Sequence, residues 1–172
     1  MQGRRLFCRI LAITGVLLVQ IEKGKCSQEV LQNISKGFAV VLEDCKKQNV
    51  GDHIMQDFYN FWHEEYQLVN REMGCVMMCM ASKLELIDED MKMHHGNAHE
   101  FAKTHGAVMN HGNDDLAKQI VSMVHECEKA NEAVTDHCAR ALEMAKCFRT
   151  KIHALKWAPS MRVVMEEVMT AL

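Results

Sequence analysis

Proline is nearly missing from this chain, with one residue in 172, and glycine supplies only 9 and aromatic residues 6%. A sandwich or barrel of many short strands needs a turn-former every few residues, so this scarcity excludes it. Apolar runs of the ~20 residues that cross a bilayer are also missing, which excludes a multi-span membrane protein. No Gly-X-Y period or low-complexity tract is present, so fibrous classes fall away. What the chain has in abundance is 14 Met and 8 Cys, within 48% hydrophobic and 25% charged residues. That composition fits one globular domain with a soft, adaptable helical interior.

The first segment stands apart. Arg4, Arg5 and Arg9 precede an apolar run from Ile10 to Val19, the pattern of a secretory signal peptide and too short to act as an anchor. Small residues at Gly24 and Cys26 place cleavage before Ser27, so residues 1–26 read as the signal peptide and 27–172 as the single mature domain. Cleavage removes five basic residues and one acid. It leaves 15 and 22, and moves the formal charge from −3 to −7, which disfavours nucleic acid and anionic membranes as partners. It also removes Cys8 and Cys26. The remaining Cys45, Cys75, Cys79, Cys127, Cys138 and Cys147 form an even set in an oxidising compartment, which reads as three disulfides.

Helical periodicity dominates the rest. From Gln28 to Lys47, Val30, Leu31, Ile34, Phe38, Val41, Leu42 and Cys45 recur at three- and four-residue steps. Asp52 starts a second helix through Phe58 to Trp62, and Arg71 to Leu86 makes a third. Asp88-Glu89-Asp90 reads as a loop, His95 to His105 as a fourth helix and Gly106 to Asn113 as a turn. Asp114 to Cys127 forms a fifth helix. Thr135 to Ile152 forms a sixth, with Cys138, Leu142, Ala145, Phe148 and Ile152 on its buried side. Beyond Pro159, the stripe Met161, Val164, Met165, Val168, Met169 and Leu172 marks an amphipathic tail. It serves as a last core helix or as a segment that docks into a groove.

Cys75 and Cys79 lie four apart on one helix, so each sulfur can tie that helix to a separate neighbour. Six cysteines admit fifteen pairings by sequence alone. Their order, with 29, three, 47, ten and eight residues between successive members, resembles the insect odorant-binding proteins. SQEVLQNIS at Ser27, CKKQNVGDHIMQDFYNFW at Cys45, NREMGC at Asn70, HHGNAHEFAKTHGA at His94 and IHALKWAPSM at Ile152 resemble the moth pheromone-binding branch. The likeness covers essentially all of Ser27 to Leu172.

The resemblance implies an all-α bundle of about six helices around an internal apolar cavity, with bridges Cys45–Cys79, Cys75–Cys138 and Cys127–Cys147. A hollow domain gives up core packing, and cross-links that restrict the unfolded chain offset it by roughly 2–4 kcal/mol each. Carried over by motif, the ligand-binding wall comprises Leu31, Ser35, Phe38, Phe61, Trp62, Met77 and Ala81, with Leu86, Ile87, Phe101, Val121, Val124, Met144 and Phe148. Phe, Trp and Met suit a long flexible aliphatic ligand. Taken singly, any of these residues on a helix face is more often core than pocket.

Two departures bear on mechanism. Members that bind alcohol pheromones place a Ser where this chain has Ala81, and some place Asn where it has Met78. The less polar floor predicts a weaker preference for alcohols over aldehydes or acetates, with Ser35 or Ser82 as a substitute contact. His94, His95 and His125 match positions that the resemblance assigns to acid-triggered release, since protonating a close imidazole cluster creates repulsion. Glu167 matches one acid that lets the tail enter the cavity at low pH, but Arg162 and Ala171 stand where two others are expected. A buried Arg cannot shed its charge, so opening by the histidines is expected to be kept and tail entry to be weaker.

Other chemistry is set aside. His63-Glu64-Glu65 lacks the second His of a helical zinc protease site. His95 and His99 are spaced as a metal pair, with His94, His105 and His111 nearby, but no acid or Cys completes a set in sequence, so no metal is expected. The sequon Asn33-Ile34-Ser35 falls inside a helix and is not expected to be occupied. The chain therefore reads as a non-enzyme without cofactor: a secreted carrier, in antennal sensillar lymph by resemblance, for a long-chain alcohol, aldehyde or acetate. Its expected partners are that ligand and olfactory receptor or neuron membrane proteins, with no nucleic acid, and its expected state is a monomer or weak homodimer. A secreted lipid-acting enzyme is the competing class, and it lacks its His beside adjacent cysteines and its Gly-rich calcium loop. A hydrophobic-ligand carrier outside olfaction keeps the fold and changes the job.

Overall fold

Apolar residues at three- and four-residue steps from Val30 to Cys45 bury one face of a long helix: Val30, Leu31, Ile34, Leu42 and Cys45 all lie in the core. The computed structural model describes residues 16–46, 52–105 and 113–160. Six helices lie among the described residues: α1 Val16–Lys46, α2 Asp52–Tyr59, α3 Arg71–Lys83, α4 His95–His105, α5 Asn113–Ala130 and α6 His137–Ala154. One antiparallel bridge, Ile87 to Met93, is the only β pairing among them. The all-α expectation is met, and the tail from Met161 to Leu172, with Glu167, lies outside the described residues, as does most of the turn Gly106 to Asn113.

Helix ends differ from the expected ones for local reasons. α1 begins at Val16 rather than Gln28, because Gly24 alone is too weak a breaker between good helix formers. α2 stops at Tyr59 instead of Trp62. There the Asn60 amide and backbone N–H both donate to the Gln56 carbonyl, at 2.8 and 3.0 Å, and the chain turns. α3 ends at Lys83 instead of Leu86 because Glu85 takes a left-handed φ of 55°. Glu85 N–H then donates to the Ser82 carbonyl and Leu86 N–H to that of Ala81, a Schellman closure without glycine. α6 closes in the same way around Lys156, φ 58°.

α3 packs most extensively on α6, and also on α1, because its two cysteines reach both. The bridges are Cys45–Cys79, Cys75–Cys138 and Cys127–Cys147, the pairing the resemblance implied. At the shared start of α3 and α6, the Asp136 side chain caps α6 by accepting from Ala139 N–H at 2.7 Å. It also accepts a fork from Arg71 through Nε and Nη2. The Arg71 guanidinium holds the Asp136 carboxyl below the usual carboxylate range.

The chain between α2 and α3 is fixed by polar groups. Asp57, fully buried, accepts from Tyr66 O–H and Asn70 Nδ2, each at 2.6 Å. Arg149 of α6 donates from one nitrogen to the carbonyls of Phe61, His63 and Tyr66. These contacts hold Phe61 and Trp62 against the bundle interior, where Leu31, Ile54, Leu68, Met73 and Ile152 form the tightest core.

Candidate ligand pocket

The helices and their connections line an apolar pocket of about 300 Å³. α1 contributes Leu31, Ser35 and Phe38, the turn after α2 contributes Phe61 and Trp62, and α3 contributes Met77 and Ala81. Leu86 and Ile87 follow from the connection to α4, then Phe101, Val121, Val124, Met144 and Phe148 from α4, α5 and α6. All fourteen residues named from the sequence therefore lie on one wall. Aromatic edges organise it: Phe61 meets Trp62 at 4.8 Å between centroids, Trp62 meets Phe148 at 6.2 Å and Phe38 meets Phe101 at 5.1 Å.

Sequence reasoning missed further lining residues. Ile34, Ala39 and Leu42 belong to the same stripe of α1, and Phe58, Met80, Ala98, Ala102, Ile120, Ala141 and Ala145 fill gaps between named positions, whereas Met78, expected in the floor, does line it. Met91 and Met93 come from the segment between α3 and α4, where no periodicity could mark them. That segment is a short folded flap. His94 N–H donates to the Leu86 carbonyl and Asp88 N–H to that of Lys92, both at 2.8 Å, and Asn97 Nδ2 donates to the Glu85 carbonyl at 2.8 Å. Met91, at φ 59°, makes the turn.

The polar groups of the lining are Ser35, Glu128 and Arg140, together with the buried indole N–H of Trp62, which has no hydrogen-bond partner among the described residues. The Ser35 hydroxyl donates to the Leu31 carbonyl of its own helix at 2.8 Å, so its hydrogen is committed and only its lone pairs face a ligand. Ser82, expected as an alternative contact, is exposed and does not line the pocket. Its position beside Cys79 on the stripe turns away because α3 presents Met77, Met78 and Ala81 instead.

Of the histidines expected to act in acid, His95 and His125 meet edge to face with centroids 4.6 Å apart. His94 accepts from Asn97 N–H at 3.2 Å through Nδ1 and so caps α4. Glu128 lies 3.5 Å from His125 Nδ1 and accepts from the flap's Met93 N–H at 2.8 Å. The metal pair weighed from sequence is not the one the fold assembles. His99 faces Asp114 at 3.1 Å, whereas His95, His125 and Glu128 place ligand atoms within 4.8 Å of one another. Among the described residues no helix is long and apolar enough to cross a membrane.

This architecture has close counterparts. Pheromone-binding protein 2 of Epiphyas postvittana is 44% identical over 144 residues, covering 83% of this chain and 84% of that protein. General odorant-binding protein 2 of Heliothis virescens is 33% identical over 139 residues, 79% of this chain and 82% of that one. The crystal structure of Epiphyas postvittana pheromone binding protein 3 superposes with a TM-score of 0.61 at 52% identity, covering 69% of this chain and 97% of its own. The PBP/GOBP family pattern matches residues 27–151, and with these relatives it shows that the chain belongs to the PBP/GOBP family, a family of binding proteins rather than enzymes.

Proposed function

We propose that this protein is an extracellular carrier that takes a long-chain hydrophobic odorant or pheromone into the pocket between its helices and delivers it to olfactory receptors. The observation that carries this reading is the pocket itself: an almost wholly apolar wall in a family whose named relatives bind pheromones or odorants. Burying apolar surface drives association without a directional contact, and the Met-rich wall adapts to a flexible chain. The fourteen residues from Leu31 to Phe148 named above act as the ligand contacts. The mature carrier starts at Ser27, after signal-peptide removal, and works in an extracellular fluid such as sensillar lymph.

With Ala81 in the floor and the Ser35 hydrogen committed, the pocket discriminates little between alcohol, aldehyde and acetate. The reading is tested by displacing a fluorescent apolar probe from the oxidised protein with C14 to C18 alcohols, aldehydes and acetates at neutral pH. Displacement by several of them within about tenfold of one another is expected. A folded protein from which none displaces the probe contradicts it.

Release is acid-dependent in this reading. Protonated His95 and His125 would bring two positive charges to rings 4.6 Å apart, beside His94 on the flap, with the Glu128 carboxylate of α5 opposing them and Glu126 also acting on His125. The flap, which carries Ile87, Met91 and Met93 of the wall, would open. Entry of the tail is weaker, because Glu167 alone of the three expected acids is present. The test is the same displacement at pH 7 and pH 5 in a chelating buffer. Affinity should fall in acid and fall less in His125→Ala, and equal affinity at both pH values contradicts it.

A further inference from the structure

His95 stands at the first position of α4, and His125 and Glu128 are three residues apart on α5. The packing of α4 on α5 brings their ligand atoms within 4.8 Å of one another. We propose that His95, His125 and Glu128 bind a divalent metal ion of the zinc class. Two imidazoles and one carboxylate form a donor set that zinc accepts with a fourth position open to water. Around an ion at about 2.0–2.2 Å from each donor, tetrahedral ligands sit about 3.4 Å apart. The 3.5 Å from His125 Nδ1 to Glu128 Oε2 already matches that spacing, and His95, an exposed side chain, closes the rest by rotation.

A second feature prepares the site. Glu128 Oε1 accepts from Met93 N–H at 2.8 Å, which fixes the carboxylate and leaves Oε2 turned to the imidazoles, as outer contacts orient ligands in metal sites. Nearby histidines are engaged otherwise: His94 Nδ1 accepts from Asn97 N–H and His99 faces Asp114. An acid from α5 thus completes the set that the α4 sequence leaves incomplete. The site does not depend on the carrier reading, since metal binding is measured with the pocket empty.

Calorimetric titration of Zn²⁺ into the oxidised protein, in a non-coordinating buffer near pH 7.5, tests it. One ion per chain is expected, with affinity reduced about tenfold or more in each of His95→Ala, His125→Ala and Glu128→Gln and unchanged in His63→Ala. The two histidines are exposed, so the variants should keep the wild-type circular dichroism. Co²⁺ gives a second reading: the visible absorption of a four-coordinate site should appear in the wild type and vanish in His125→Ala. No heat and no Co²⁺ band in the wild type overturns the proposal. So does binding that survives both histidine variants or falls equally in His63→Ala.

Discussion

Gly74 of α3 lies directly against the backbone carbonyl of Cys138 in α6, so close that a Cβ at position 74 would collide with that oxygen. The neighbouring Cys75–Cys138 bridge, with Cα atoms 4.5 Å apart, locks the helices at this separation. Gly74→Ala must push α3 off α6 or break the cap and ion pair at their shared start, and neither can yield cheaply. The variant is expected to lose about 3 kcal/mol of stability in denaturant unfolding. A wild-type midpoint in this variant would show that the close approach is not needed.

The three bridges close loops of different length, with sequence separations of 34, 63 and 20. In the chain-entropy account the longer loop stabilises more. Replacing both cysteines by alanine should cost about 4 kcal/mol at Cys75–Cys138 and about 3 kcal/mol at Cys127–Cys147. Chemical unfolding of the two paired variants gives the order, and a reversed order would place the effect in the native state instead.

Tyr66 ties the buried Asp57 to the chain between α2 and α3. Its hydrogen bond to that carboxylate, then burial, raise its pKa above the ordinary 10.0. The folded state therefore keeps this proton where the unfolded chain loses it. The contribution is full below about pH 10 and declines as pH rises through the raised value. Tyr66→Phe should cost about 2 kcal/mol at neutral pH, because Asp57 keeps only Asn70. It should also flatten the alkaline fall in stability. Unfolding curves at several pH values between neutral and 11 decide this.

Ala81 occupies the pocket floor without a polar atom. Ala81→Ser should add one hydroxyl contact and raise affinity for a long-chain alcohol relative to the matching acetate by about 3–10-fold. Competitive probe displacement measures the ratio, and an unchanged ratio would place the ligand head elsewhere.

Much of this was legible in the sequence because helices advertise themselves by period. The stripe from Val30 to Cys45, the i, i+4 pair Cys75 and Cys79, and the buried side of α6 follow from spacing alone. The disulfide pairing did not; it came with the family resemblance, since six cysteines say nothing of their partners. Helix ends were misplaced where Glu85 and Lys156 adopt left-handed backbone, which nothing in their side chains announces. Met91 and Met93 were invisible as wall residues because a folded flap has no period. The meeting of His95 with His125 and Glu128 depends on how α4 lies on α5, a relation across 30 residues that no local pattern encodes.

Occupancy of the pocket by the ligand is the central claim, and filling the pocket tests it most directly. Ala81→Phe places a ring in the cavity, while Ser82→Phe places the same ring on the exposed side one residue on. The measurement is probe affinity at neutral pH in both variants, with thermal unfolding as the check on folding. The account predicts a loss of about tenfold or more in Ala81→Phe and wild-type binding in Ser82→Phe. Equal affinity in two folded variants would mean that the ligand binds somewhere other than between these helices.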